Sequence, residues 1–133
     1  MESTIGHIYF YVPDLEKSYQ FYKKFLEFIG YKENCKYDWG FSFTNNGTSI
    51  WFEETPKKWA KDKFHRRKSG LNHLAFRLNS KENVDKFFKE FLKKGKIATL
   101  YQTPKHFPEY EKNYYAVFFE DPDRLKIEIV YHP

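Results

Sequence analysis

The feature that most limits how this chain can fold is an internal repeat. "HIYFYVPDLEKSYQFYKKFLEF", starting at His7, aligns without a gap on "HLAFRLNSKENVDKFFKEFLKK", starting at His73, at an offset of 66 residues. Seven of the 22 positions are identical: His7 matches His73, Phe10 matches Phe76, Glu16 matches Glu82, Phe21 matches Phe87, Lys23 matches Lys89, Phe25 matches Phe91 and Leu26 matches Leu92. Self-similarity at a fixed offset means that one supersecondary unit is built twice.

Each copy has the same coarse layout. Residues 5–12 alternate His7, Tyr9 and Tyr11 with Ile8, Phe10 and Val12, the period of a half-buried strand. Asp14 is placed to cap a following helix, whose Leu15, Tyr19, Tyr22, Phe25, Leu26 and Ile29 recur at helical spacing, and Gly30 to end it. In the second copy Ser80 is the cap, Val84, Phe87, Phe88, Phe91 and Leu92 are the apolar stripe, and Gly95 is the stop. Short strands come next: "WGFSF" and "SIWFEE" flank the turn "TNNG", and "YYAVFFE" and "LKIEIVY" flank "DPD". The pattern is strand, helix, then three strands, twice: module one over 1–56, a basic linker over 57–69 and module two over 70–133. "QTPKHFPEYEKN", Gln102 to Asn113, reads as a loop of lid length.

Charge and composition narrow the function classes. The formal net charge is +5, and the run Lys57 to Lys68, "KKWAKDKFHRRK", holds seven Lys or Arg against one Asp. Basicity is therefore local. Trp59 and Phe64 interleave with it, but nothing else matches a nucleic-acid module, so the run reads as a solvated connection or as a cationic rim for an anionic small molecule. No apolar run nears the roughly 18 residues of a membrane span. A lone Cys35 and a polar N-terminus without an export signal point to a reducing, cytoplasmic setting.

Strand parity puts His7 and His73 on the face opposite the apolar residues beside them, Ile8 and Phe10 in one copy and Leu74 and Phe76 in the other. In "LKIEIVY", Ile127 and Ile129 take the packing face and Glu128 the other. Aligning "SIWFEE" on "KIEIVY" sets Trp51 opposite Glu128. Glu53 shares the parity of Trp51, Glu54 points away, and Phe52 belongs with Ile50 in the core. His65, His106 and His132 lack comparable partners and read as surface residues.

These stretches, "HIYFYVPDLEKSYQFY", "GLNHLAFRL" and "YYAVFFEDPDRLKIEIVY", resemble the vicinal oxygen chelate superfamily, which includes glyoxalase I, bleomycin-resistance proteins, fosfomycin-resistance enzymes, methylmalonyl-CoA epimerase and extradiol dioxygenases. The resemblance covers nearly the whole chain. It implies an α+β fold of paired βαβββ modules whose strands form a cupped mixed sheet with helices outside, in a protein that pairs as a homodimer. It also implies that His7, His73 and Glu128 hold one divalent metal ion, with Fe, Mn, Co, Ni and Zn all compatible. Four-ligand glyoxalase I has a carboxylate at the position Trp51 occupies, so the resemblance implies an open three-ligand site and sets this chain apart from ordinary glyoxalase.

The implied activity is a metal-dependent isomerisation, lyase or ring-opening reaction on a small substrate bound through adjacent oxygens. Glu53 is the first candidate base and Tyr115 a second acid or hydrogen-bond donor, although only one of Tyr114 and Tyr115 can face inward. Tyr9, Tyr11 and Trp51 could stack on a substrate, and Arg77 could hold a carboxylate or phosphate or form an ion pair at the cup's edge. The competing expectation is a metal-free protein that sequesters a planar ligand, as the bleomycin-resistance relatives do.

Overall fold

Alternating side chains over His7–Val12 form strand β1, and the helix after it begins where expected: Asp14 accepts the Lys17 backbone N–H at 2.9 Å and α1 runs over Leu15–Phe28. The chain turns at Gly30, φ +93, into β2 (Lys32–Tyr37), β3 (Gly40–Asn45) and β4 (Thr48–Glu54). The β3–β4 turn places Asn46 and Gly47 at φ +47 and +81, the positive pair that a two-residue hairpin of matching twist requires. The strand order is β1-β4-β3-β2, with β1 parallel to β4 and the other pairs antiparallel. The computed structural model describes all residues, Met1–Pro133, and divides them into two units, Met1–Lys63 and Phe64–Pro133; these elements make up the first.

One face of the first sheet packs on α1. Phe25, Leu26, Phe41, Phe43, Ile50 and Phe52 are fully buried there. The Tyr22 ring lies 4.1 Å from Phe52, and Phe52 stacks on Phe41 at 4.7 Å. Gly40 permits the β3 backbone to approach β4: a Cβ there would sit 2.6 Å from the Phe52 carbonyl oxygen. Gly40→Ala should therefore destabilise the protein by about 1–3 kcal/mol, read by urea denaturation, because backbone must move to admit the methyl group.

The second unit repeats the plan with β5 (Leu74–Arg77), α2 (Lys81–Phe87), β6 (Thr99–His106), β7 (Tyr115–Glu120) and β8 (Lys126–Tyr131), ordered β5-β8-β7-β6. Ser80 caps α2 by accepting the Asn83 N–H at 3.2 Å. Val84, Phe87, Leu92, Val117, Phe119, Ile127 and Ile129 form its fully buried core. The architecture is α+β: two four-stranded mixed sheets in two βαβββ modules.

Three local expectations need correction. The second helix does not continue as one α-helix, because Phe88–Lys93 adopts a π-helical turn. The left-handed residue that ends it is Lys96, φ +54, and not Gly95, whose role is close packing: a Cβ on it would meet the Phe91 carbonyl oxygen at 2.8 Å. Finally, the segment from Gln102 to Asn113 is not wholly loop. Its first half is β6, and Phe107 is buried with Ala116, Phe118 and Val130, which anchors the remainder. No helix is long and apolar enough to cross a membrane.

Candidate functional site

In both units the parallel ladder fixes which residues share the face away from the helix. Tyr9 pairs with Trp51 in the first, and Ala75 pairs with Glu128 in the second. Tyr9 and Ala75 are equivalent at the offset of 66, so the ladders make Trp51 and Glu128 equivalent as well.

Glu128 is 2% exposed, and both of its oxygens are engaged. His73 Nε2 lies 2.9 Å from Oε2, and the Tyr114 hydroxyl donates to Oε1 at 2.6 Å. His73 itself immediately precedes β5 and is held from behind: its Nδ1 is 2.8 Å from Asn72 Oδ1, while the Asn72 amide nitrogen donates to the Arg66 carbonyl at 3.3 Å. That donation makes Oδ1 the acceptor, so Nδ1 carries a hydrogen and Nε2 is the nitrogen turned to the carboxylate. Burial, with the hydrogen bond and charge of Glu128 adding to it, raises the Tyr114 phenol well above its ordinary range, which keeps it a neutral donor.

An imidazole nitrogen and a carboxylate oxygen at this separation, each oriented by an outer hydrogen-bond partner, are a donor pair that suits a divalent ion. Within the second unit no third His, Cys, Asp or Glu joins them. His7 belongs to the first unit, exposed at the start of β1, where its register partner is Ser49.

The first unit displays aromatic rings on the corresponding face. Tyr9 stacks on Trp51 at 6.2 Å, Trp51 on Trp39 at 6.3 Å and Trp39 on Tyr37 at 5.2 Å, with interplanar angles below 10°. Tyr11 tilts against Tyr9 at 6.3 Å. The Tyr9 hydroxyl donates to Glu53 Oε2 at 2.7 Å; this hydrogen bond, with burial and the Glu53 charge, pushes Tyr9 up to about 12. Tyr9 is thus a neutral hydrogen-bond donor to Glu53, and one Glu53 oxygen is left for another partner.

The sequence-derived choice of Tyr115 is corrected. Tyr115 pairs with Tyr131 and shares the helix-side face, where its hydroxyl donates to Asp85 Oδ1 at 2.7 Å. Burial and this bond raise the Tyr115 phenol, and Lys81, with Tyr115, holds Asp85 below its usual range against the opposing effect of burial. Tyr114 is the residue on the Glu128 face. Its signal was parity with Phe118, the register partner of Glu128. Arg77 is exposed on β5, beside Val130. Asn72, Trp39 and Tyr37 also escaped the sequence reading, and only for the two rings was there a signal, an aromatic pair flanking the β2–β3 turn.

Residues 4–129 match the family model of the Glyoxalase/Bleomycin resistance protein/Dioxygenase superfamily. YqjT of Bacillus subtilis (strain 168), an uncharacterised protein, is 39% identical over 124 residues, which are 93% of this chain and 95% of YqjT. The crystal structure of a candidate glyoxalase from Bacillus halodurans, 35% identical, superposes with a TM-score of 0.88, covering 98% of this chain and 97% of that one. A lactoylglutathione lyase from Agrobacterium tumefaciens, 18% identical over 98% of this chain and 94% of its own, shares the fold at a TM-score of 0.69. Repeated βαβββ modules and a family match over nearly the whole length lead to one conclusion: the chain belongs to the glyoxalase/bleomycin resistance protein/dioxygenase superfamily.

Proposed function

We propose that this protein is a glyoxalase-like, metal-dependent enzyme that binds a small substrate through adjacent oxygens and carries out isomerisation, lyase or ring-opening chemistry. The observation that supports it most is the buried Glu128 carboxylate, 2.9 Å from an imidazole nitrogen whose tautomer is set by Asn72. Such a pair suits one divalent ion (Fe, Mn, Co, Ni or Zn); on the family resemblance we add His7 as a third ligand and a functional homodimer in the cytoplasm. When bound, the ion would supply Lewis-acid polarisation of adjacent substrate oxygens.

The chain's own groups divide the remaining work. Tyr114 fixes the Glu128 carboxylate, and Asn72 fixes the His73 ring. Tyr9, Tyr11 and Trp51 offer ring faces on which a substrate can stack, and Arg77 is free to meet an anionic group. Glu53, held by Tyr9 through one oxygen, can accept a substrate proton on the other.

Metal analysis of protein purified without chelators tests this reading. About one divalent ion per chain is expected, falling below about a tenth of that in His7→Ala and His73→Ala. Equal metal content in all three proteins would remove these residues as ligands. The second reading, a metal-free protein that sequesters a planar molecule, is favoured by the stacked row Tyr9, Trp51, Trp39 and Tyr37. It takes precedence if the unmutated protein holds no ion yet quenches its tryptophan fluorescence on binding planar ligands.

A further inference from the structure

We propose that the second unit carries an anion-binding pocket, distinct from the His73 and Glu128 pair, in which His65, Arg66, Arg67 and Arg124 receive a small phosphate-type oxyanion. These four residues and Phe64 line a concave cavity of about 260 Å³. That is small for an extended ligand but roomy enough for one charged group.

Glu120, at the end of β7, organises the wall. Arg66 Nη1 donates to its Oε1, and Arg124 Nε approaches Oε2 at 3.4 Å. Burial alone would raise the Glu120 carboxyl, but the Arg66 hydrogen bond and the Arg124 and Arg66 charges outweigh it and hold the group below its usual range. Glu120 is therefore an anion that orients two guanidinium groups. Each guanidinium has five N–H donors in a rigid fork, so both keep donors beyond those given to Glu120. Arg67 has no ion-pair partner at all. Its backbone N–H donates to His65 Nδ1 at 3.1 Å, which leaves Nε2–H as the outward donor of the neutral ring. Three guanidinium groups thus converge against one carboxylate, an excess of positive charge that a doubly charged oxyanion would balance.

The backbone turn fixes where Arg124 stands in this lining. Arg124 has φ +68, a conformation in which glycine carries no steric penalty and a longer side chain does. The turn that imposes it is well made: Arg124 N–H donates to the Asp121 carbonyl at 3.1 Å, and Asp121 Oδ1 accepts the Asp123 and Leu125 N–H groups at 2.8 Å each. Glycine would hold this turn more cheaply but would remove a guanidinium from the pocket. The same region accounts for part of the basic run in the sequence, since Arg66 and Arg67 are drawn from it. A concave site of this size fits one oxyanion better than a nucleic-acid strand, which needs phosphate contacts spaced along a groove.

Titration calorimetry of inorganic phosphate into the full chain, in chloride buffer of low ionic strength, tests the proposal. One site per chain is expected, with sulfate competing for it. Arg67→Ala and Arg124→Gly should each weaken phosphate about tenfold or more, whereas Lys57→Ala, the same change of charge elsewhere in the basic run, should weaken it less than about twofold. Arg67→Ala should keep the thermal midpoint of the unmutated protein, since Arg67 pairs with nothing, and in Arg124→Gly the loss of an exposed ion pair with Glu120 is offset by relief of the positive φ. Glu128→Ala should leave phosphate binding unchanged, which separates this site from the proposed metal. The proposal fails if phosphate does not bind, or if Lys57→Ala and Arg67→Ala weaken it equally. It fails as well if Glu128→Ala abolishes binding while Arg67→Ala does not, or if a single-stranded oligonucleotide binds where phosphate does not.

Discussion

Glu128→Ala is expected to lower the affinity for a divalent ion by more than about 100-fold and to cost the metal-free protein about 1–3 kcal/mol of stability. Loss of an outer hydrogen-bond partner of a metal ligand costs about 10–100-fold, and loss of the ligand itself must exceed that. The stability term has a separate origin. Glu128 is almost fully buried, and its removal strips the Tyr114 hydroxyl of its acceptor and leaves a space beside His73. Tyr114→Phe removes a single donor and should cost about 1 kcal/mol and about tenfold in ion affinity. Because the two residues share one bond, the double variant should be less destabilised than the sum of the single ones. Costs that add to within about 0.5 kcal/mol would show that the Tyr114 hydroxyl does not support Glu128 in solution.

Phe52→Ala should cost about 3–5 kcal/mol, the largest effect expected of a single core change in the first unit. Its side chain is fully buried, and rings crowd it from three sides: Tyr22 at 4.1 Å, Phe41 at 4.7 Å and Phe10 at 5.5 Å. An alanine leaves a space that three rigid rings from α1, β3 and β1 fill poorly, so a cavity penalty adds to the lost burial. Tyr11→Ala supplies the control. Tyr11 is 59% exposed on the opposite face and should lose less than about 0.5 kcal/mol. Chemical denaturation measures both. A loss below about 1 kcal/mol for Phe52→Ala would place the first unit's core elsewhere.

Much of the fold was legible because its signals are local. Alternation in "HIYFYV" needs only the two-residue period of a strand, and Asp14 and Ser80 cap helices through bonds to residues three positions away. Even the equivalence of Trp51 with Glu128 followed from aligning two short strands, and the ladders place both opposite equivalent partners. Expectations fail where close packing or pairing decides the outcome. Gly95 lies against the Phe91 carbonyl oxygen, and the left-handed conformation falls one residue later, on Lys96. The prolines and polar residues of Gln102 to Asn113 suggest a loop, but pairing with β7 draws residues as far as His106 into a strand.

Tyr114 and Tyr115 mark the boundary most clearly. The sequence alone determined that adjacent strand residues face opposite ways, and hence that one tyrosine would share the face of Glu128 and the other would meet the helix. Which one did so depended on the register of β7 against β8, and a slip of a single residue reverses every side chain. The same holds for Arg66, whose charge was plain in the sequence but whose partner, Glu120, lies 54 residues away. Side-chain direction is a local property of the chain; contact between distant residues exists only once register, turns and packing bring them together.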